Sequence, residues 1–179
     1  MQNNGQGNFT DKNLKLLSPQ GIALAGVLGA LLLVVQVALA PLPNIELVSI
    51  IILVSALHFK TITIAAMYIF VLGEGLIYGF HIWWICYLYV WLVLFLITCL
   101  FFKVDSVLFW SIINGLFGLL FGALCSIPYF FIGGVGYGIS YFIAGVPFDL
   151  LHCTGNFATA LLLYKPLDKV FAYVSRRKR

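Results

Sequence analysis

Charge is what this chain has least of. Only 9% of its 179 residues are Asp, Glu, Lys or Arg, against roughly 25% in a soluble domain. Intrinsic disorder is excluded, because it rests on high net charge and low hydropathy. A soluble globular fold is excluded from the other side. Apolar residues make up 63% of the chain and mean hydropathy is +1.07, more apolar surface than so short a chain can hide from water. Catalytic signatures are missing as well: no GxSxG, HExxH, P-loop or GxGxxG occurs, so the chain brings no nucleotide-binding loop of its own. The four cysteines, Cys86, Cys99, Cys125 and Cys153, show no CxxC spacing and lie in apolar stretches. They read as buried free thiols rather than a disulfide framework or metal site.

What is present is apolar sequence in long runs. At about 20 residues per span, it suffices for five or six transmembrane helices and leaves little for a soluble catalytic domain. The first run, Gly21 to Ala40, mimics a signal peptide, with Lys12 and Lys15 before it and Ala38-Leu39-Ala40 at its end. It exceeds the ~7–15 residues of a signal h-region, and Pro41 follows directly, so a retained first span is expected.

Hydropathy and helix breakers predict an all-α integral membrane protein with six helices and both termini cytoplasmic. The expected helices cover 20–40, 43–59, 61–72 with a bent continuation to Tyr78, 82–102, 106–132 and 139–164. Pro43 suits the first turn of the second, and Pro147 is expected to kink the sixth. Residues 1–19 and 165–179 are expected as cytoplasmic tails of a single domain, 20–164. The run Ser175-Arg176-Arg177-Lys178-Arg179 reads as an anchor at anionic lipid, not a nucleic-acid site. Only Glu46, Lys60, Glu74, Lys103, Asp105 and Asp149 are charged between Gln20 and Tyr164. With the N-terminus inside and six spans, all ten Lys and Arg fall on the cytoplasmic side, as the positive-inside rule asks. Five or seven spans break that alternation.

Three outer connections follow: 41–46, 73–81 and 133–138. They and the residues just below them hold Asn44, Glu46, Glu74, Tyr78, His81, Trp84, Tyr87, Tyr129, Tyr137 and Tyr141. Rings, a few polar groups and glycine-rich backbone are the materials of a ligand pocket. An aromatic belt at the membrane interface uses the same rings, and both readings stand for any single one. Gly21, Ala25 and Gly29 form a small-residue face on the first helix, open either to internal packing or to a partner membrane protein. Ser111, Gly115, Gly118, Gly122 and Ser126 form another on the fifth, read as internal packing. Asp149, His152 and Asn156 share a face of the sixth helix at i, i+3 and i+7. Carboxylates inside a membrane are functional candidates. Here the acid is expected to pair with His152 or to satisfy neighbouring helices, and no catalytic or metal role is assigned.

With the stretch Pro41-Leu42-Pro43-Asn44-Ile45-Glu46-Leu47-Val48 after a small-residue first helix, the chain resembles a substrate-binding S component of an energy-coupling factor (ECF) transporter. The stretches Leu72-Gly73-Glu74-Gly75-Leu76-Ile77-Tyr78-Gly79 and Val146-Pro147-Phe148-Asp149-Leu150-Leu151-His152 look like that family too. The resemblance covers roughly residues 18–170. It implies a multi-pass protein of a bacterial cell membrane that captures a vitamin or cofactor on its outer face. It also implies a transmembrane coupling subunit and two ATPase subunits as partners. ATP is then used by the partners, and the chain binds no cofactor as a catalyst. The family docks the coupling subunit on the first helix, which maps onto Gly21, Ala25 and Gly29, with glycine at two positions where alanine is usual. Cobalamin is the lead for the ligand, with other vitamins and precursors beside it. Other readings are a stand-alone channel or secondary transporter, and an intramembrane lipid-acting enzyme using Asp149 and His152.

Overall fold

A computed structural model of the chain describes residues 16–176. The expected Lys12 and Lys15 and the last three basic residues lie outside them. The described residues form four helices, α1 (Pro19–Leu39), α2 (Val48–Tyr78), α3 (Ile82–Leu100) and α4 (Val107–Arg176). Each is long and apolar enough to cross a membrane.

The sequence explains their ends. Ser18 caps α1 by accepting from the Gly21 amide at 3.0 Å, and Pro19 occupies the first turn, where a missing N–H costs nothing. Pro43 opens no helix: it lies in an irregular connection, and α2 begins only at Val48. Two expected boundaries survive as single residues with non-helical dihedrals, Phe59 in α2 and Gly134 in α4. Residues 73–78 continue α2 to Tyr78, the continuation expected for that helix, rather than forming an outer connection, and of 133–138 only Gly134 leaves helical geometry. Pro147 breaks nothing; the one non-helical residue inside α4 is Gly134. The expected C-terminal tail is helical as far as Arg176.

α4 folds back on itself at Gly134. Tyr129 stacks on Tyr141 at 3.7 Å, the Gly122 amide meets the Asp149 carboxylate at 3.0 Å, and Trp110 stacks with Tyr164. Antiparallel contact is possible because glycines line the first half. A Cβ on Gly118 would lie 2.7 Å from the His152 carbonyl oxygen, and one on Gly115 would lie 3.2 Å from Phe157. Gly134 makes the reversal with φ 76° and ψ −177°, a region essentially restricted to glycine. Gly134→Ala is therefore expected to destabilise the protein by about 1–3 kcal/mol, read as a lower Tm of the purified protein. At Gly136 a Cβ would meet nothing within 4 Å. Gly136→Ala is expected to be neutral or slightly stabilising there, as alanine is in a helix interior.

The remaining packing fixes directions. α1 runs parallel to the second part of α2: Gly29 abuts Ala66 and Ile69, and Leu33 abuts Gly73. That part is antiparallel to α3, with Tyr68 bonded to the Leu88 carbonyl and Trp84 to the Val71 carbonyl. α3 is antiparallel to the first half of α4, as Tyr89 to Leu124 and Trp91 against Phe117 show. The first part of α2 runs parallel to the second half of α4, through Ser49–Asn156 and His58–Asp168. α2 is the central helix and supplies most of the fully buried apolar side chains.

The expected docking face needs correction. Gly21, Ala25 and Gly29 are the buried face of α1, and a Cβ on Gly29 would sit 2.6 Å from the Ile69 side chain. Small residues there let α1 approach α2 closely, so that face is not free for a partner.

Candidate functional site

The irregular connection between α1 and α2 builds the site. Its residues run alongside α4 rather than over the bundle. Asn44, at φ 54°, donates from its side chain to the Phe148 carbonyl at 2.8 Å, and Gly155 lies against Asn44 and Ile45. Irregular backbone within a helical membrane bundle is tolerated where it is buried in protein or lines a cavity. Here it does both.

Glu46 is the centre of the polar network. It is 7% exposed. One carboxylate oxygen accepts from the Ser49 amide at 2.8 Å, and the other accepts from the Ser49 hydroxyl and from His152 Nε2, the latter at 3.3 Å. The carboxylate thus covers the N-terminus of α2, where amides lack partners and the helix dipole favours an anion. Asn156 donates to the Ser49 hydroxyl at 3.2 Å, and Asn114 donates to the Asn156 carbonyl at 3.0 Å. Of the two outcomes expected for Asp149 and His152, pairing with each other or satisfying neighbouring segments, the second is found. The two share a face of α4 but turn to different partners, Asp149 to the Gly122 amide and His152 to Glu46.

Two cavities meet at this network. The first, about 300 Å³, is lined by the connection, by Gln36 and Leu39 of α1, and by Glu46, Tyr78, Tyr87, Trp91, Phe121 and His152. The second, about 410 Å³, lies between α3 and α4 and is lined by Trp83, Cys86, Cys125, Tyr141, Phe148 and Asp149 among others. Asn44, Tyr87 and Phe121 belong to both walls. Tyr87 and Trp91 lie five and nine residues into α3, which places this wall roughly 8–14 Å below the start of that helix at about 1.5 Å per residue.

Three polar atoms on these walls have no hydrogen-bond partner: Gln36 Oε1 and Trp91 Nε1 at the first cavity, and Asp149 Oδ2 at the second. Buried polar groups are nearly always paired. Here a buried acceptor and a buried donor stand unpaired on two residues of one cavity wall.

The structure therefore brings Asn44, Glu46, Tyr78, Tyr87, Tyr141, Asp149 and His152 to the cavity walls. It leaves others off them. Glu74 is buried on α2 at 2% exposure with Oε1 unpaired. Trp84 packs on Phe80 and bonds within the bundle. His81 is an exposed residue at the start of α3. Tyr129 backs Tyr141 by stacking, Tyr137 stands half-exposed near the α4 turn, and Asn156 supports the network from Ser49. Sequence reasoning missed Gln36, Trp91 and Ser49. A signal existed for the first: Gln36 is the only polar side chain between Gly21 and Ala40. Comparison with protein-family models, with curated proteins and with solved structures gives no match for this chain.

Proposed function

We propose that this protein is the substrate-capturing subunit of a membrane importer of the ECF type, holding a small ligand in the outer cavities and delivering it inward with partner subunits. The observation that carries this reading is a cavity lined by Glu46 and His152, two of whose other wall residues, Trp91 and Gln36, hold a buried polar group without a partner. Of the stretches that resemble an S component, 41–48 lines this cavity through Leu42 to Glu46. Cavities of about 300 and 410 Å³ lie at the small end of ligand sites. They favour a one- or two-ring vitamin or precursor over a corrinoid such as cobalamin.

Six membrane crossings with both termini cytoplasmic accommodate the packing. If α1 runs outward, its parallel alignment makes the second part of α2 run outward too. α3 then runs inward, and the two halves of α4 run out and back. The first part of α2, parallel to the second half of α4, runs inward, so the chain turns at Phe59 and again at Gly134. Lys60 over the Phe102 ring, Lys103 near the same ring and Lys165 on Asp105 then gather at the inner end, as in a bacterial cell membrane. In this reading ATPase partners supply the chemical energy, and the sequence carries no nucleotide loop of its own. A coupling subunit meets α1 on its outward face, where Ala23, Val27 and Ala30 are exposed and a Cβ on Gly26 would touch nothing.

Native mass spectrometry of gently purified protein tests the reading. The expected result is a co-purified small molecule together with coupling and ATPase subunits, and solute uptake in liposomes only when those subunits and ATP are present. Solute flux through the chain alone would replace the importer by a channel or secondary transporter.

A further inference from the structure

The second cavity has a chemistry that the first does not. Its walls are the rings of Trp83, Tyr87, Phe121, Tyr141 and Phe148, and its one charged side chain is Asp149. Asp149 is 6% exposed. Its Oδ1 accepts from the Gly122 amide at 3.0 Å, and its Oδ2 accepts from nothing. Gly122 is what lets the carboxylate lie so close, since a Cβ there would stand 2.3 Å from Oδ2.

Among the described residues, this half of the bundle buries three carboxyl groups, Glu46, Glu74 and Asp149, and one basic group, His152. His152 is bonded to Glu46. Lys60, Lys103 and Lys165 gather around Phe102, Tyr164 and Asp105 at the other end of the bundle. Among the described residues, His152 acts on Asp149 only through space, and no cation is bonded to Asp149. A buried carboxylate without a counter-charge is strongly unfavourable, and a carboxylate set among aromatic faces is the surrounding that holds an organic cation, by ion pairing and by attraction to the ring quadrupoles.

We propose that the ligand of these cavities carries a protonated amine or quaternary ammonium group, seated in the second cavity against Asp149 and the rings of Trp83 and Tyr141. The inference rests on the reading above that the cavities hold the ligand, and it names the charge of that ligand. A two-ring body in the first cavity, exchanging hydrogen bonds with Trp91 and Gln36, would leave the cationic arm to cross the shared wall at Asn44, Tyr87 and Phe121.

The probes are tryptamine, a two-ring protonated amine, and tryptophol, in which a hydroxyl replaces the ammonium. Both are titrated calorimetrically into the purified full chain in detergent. Tryptamine is expected to bind at least tenfold more tightly than tryptophol. Asp149→Asn is expected to erase that preference, and Asp105→Asn, at the opposite end, to keep it. Should Asp149→Asn fail to fold, Trp83→Leu serves in its place and is expected to weaken tryptamine at least threefold while changing tryptophol less. Equal binding of the two probes, binding of neither, or an unchanged preference in Asp149→Asn or Trp83→Leu overturns the proposal and leaves Asp149 a neutral, protonated wall residue. The two readings fail separately. A neutral or anionic compound co-purifying with coupling and ATPase subunits would keep the importer and remove the cation. Asp149-dependent tryptamine binding by a chain that moves solute without ATPases would keep the cation site and remove the importer.

Discussion

His152→Ala is expected to destabilise the protein by about 1–3 kcal/mol, the usual cost of leaving a buried hydrogen-bonding group without its partner, and to abolish ligand binding with it. Glu46 would be left as a buried carboxylate held only by Ser49, with no imidazole against it. The connection between α1 and α2 is anchored to α4 by this contact and by Asn44, so its loss loosens the wall of both cavities. Glu46→Gln should cost less, because a neutral amide still accepts from Ser49 and leaves no uncompensated charge. Joining both changes should cost clearly less than their sum, since the second removes the group that the first left unpaired. Chemical unfolding of the two single variants and the double variant measures this. Additive losses would show that Glu46 and His152 act independently.

Gly118→Val is the second large effect expected. Overpacking a core typically costs about 1–3 kcal/mol, and that range assumes side chains that can turn away. At Gly118 the neighbours are backbone: the His152 carbonyl oxygen at 2.7 Å and the Cys153 amide at 3.0 Å from a Cβ. The only relief is to push the two halves of α4 apart, which carries His152 away from Glu46. A loss of about 3 kcal/mol or more is expected, and binding should fall further than stability alone explains. Gly115→Ala is the milder comparison, with its nearest neighbour the Phe157 side chain at 3.2 Å. Thermal unfolding and titration on the same preparations separate the two effects. Equal stability of Gly118→Val and the unmodified chain would contradict the close contact.

Much of the architecture is legible in local patterns. Runs of apolar residues mark the helices. The small-residue face of Gly115, Gly118 and Gly122 marks the tight pairing within α4. The breaks near Phe59 and Gly134 announce themselves through Lys60 and the glycine cluster. The site is less legible, because its depth is not a periodic property. Pro41-Leu42-Pro43-Asn44 reads as an exterior loop in any hydropathy scheme. It lies along α4 because Asn44 and Glu46 find partners more than 100 positions away. Asp149 and His152 are correctly read as facing one way, yet helical spacing says only that two side chains share a face. It does not say that they choose each other, and each finds a better-placed partner on another segment. The face of Gly21, Ala25 and Gly29 shows the same ambiguity: small residues permit close approach, and the sequence does not name what approaches.

The first part of α2 has a bearing on how the protein is made. From Val48 to Phe59 it is about 18 Å long at 1.5 Å per residue, short of the ~30 Å hydrocarbon layer, and its polar start is completed by His152 and Asn156 of α4. Glu46 and His152 are 106 positions apart. At the ribosome's ~5–20 residues per second, the partner of Glu46 emerges about 5–20 s later. For that interval the nascent chain holds a half-length apolar segment with an acid at its head and no imidazole to meet it. Assembly of the cavity is thus a late event in biosynthesis, and a chain released before the return half of α4 is complete has helices but no binding site.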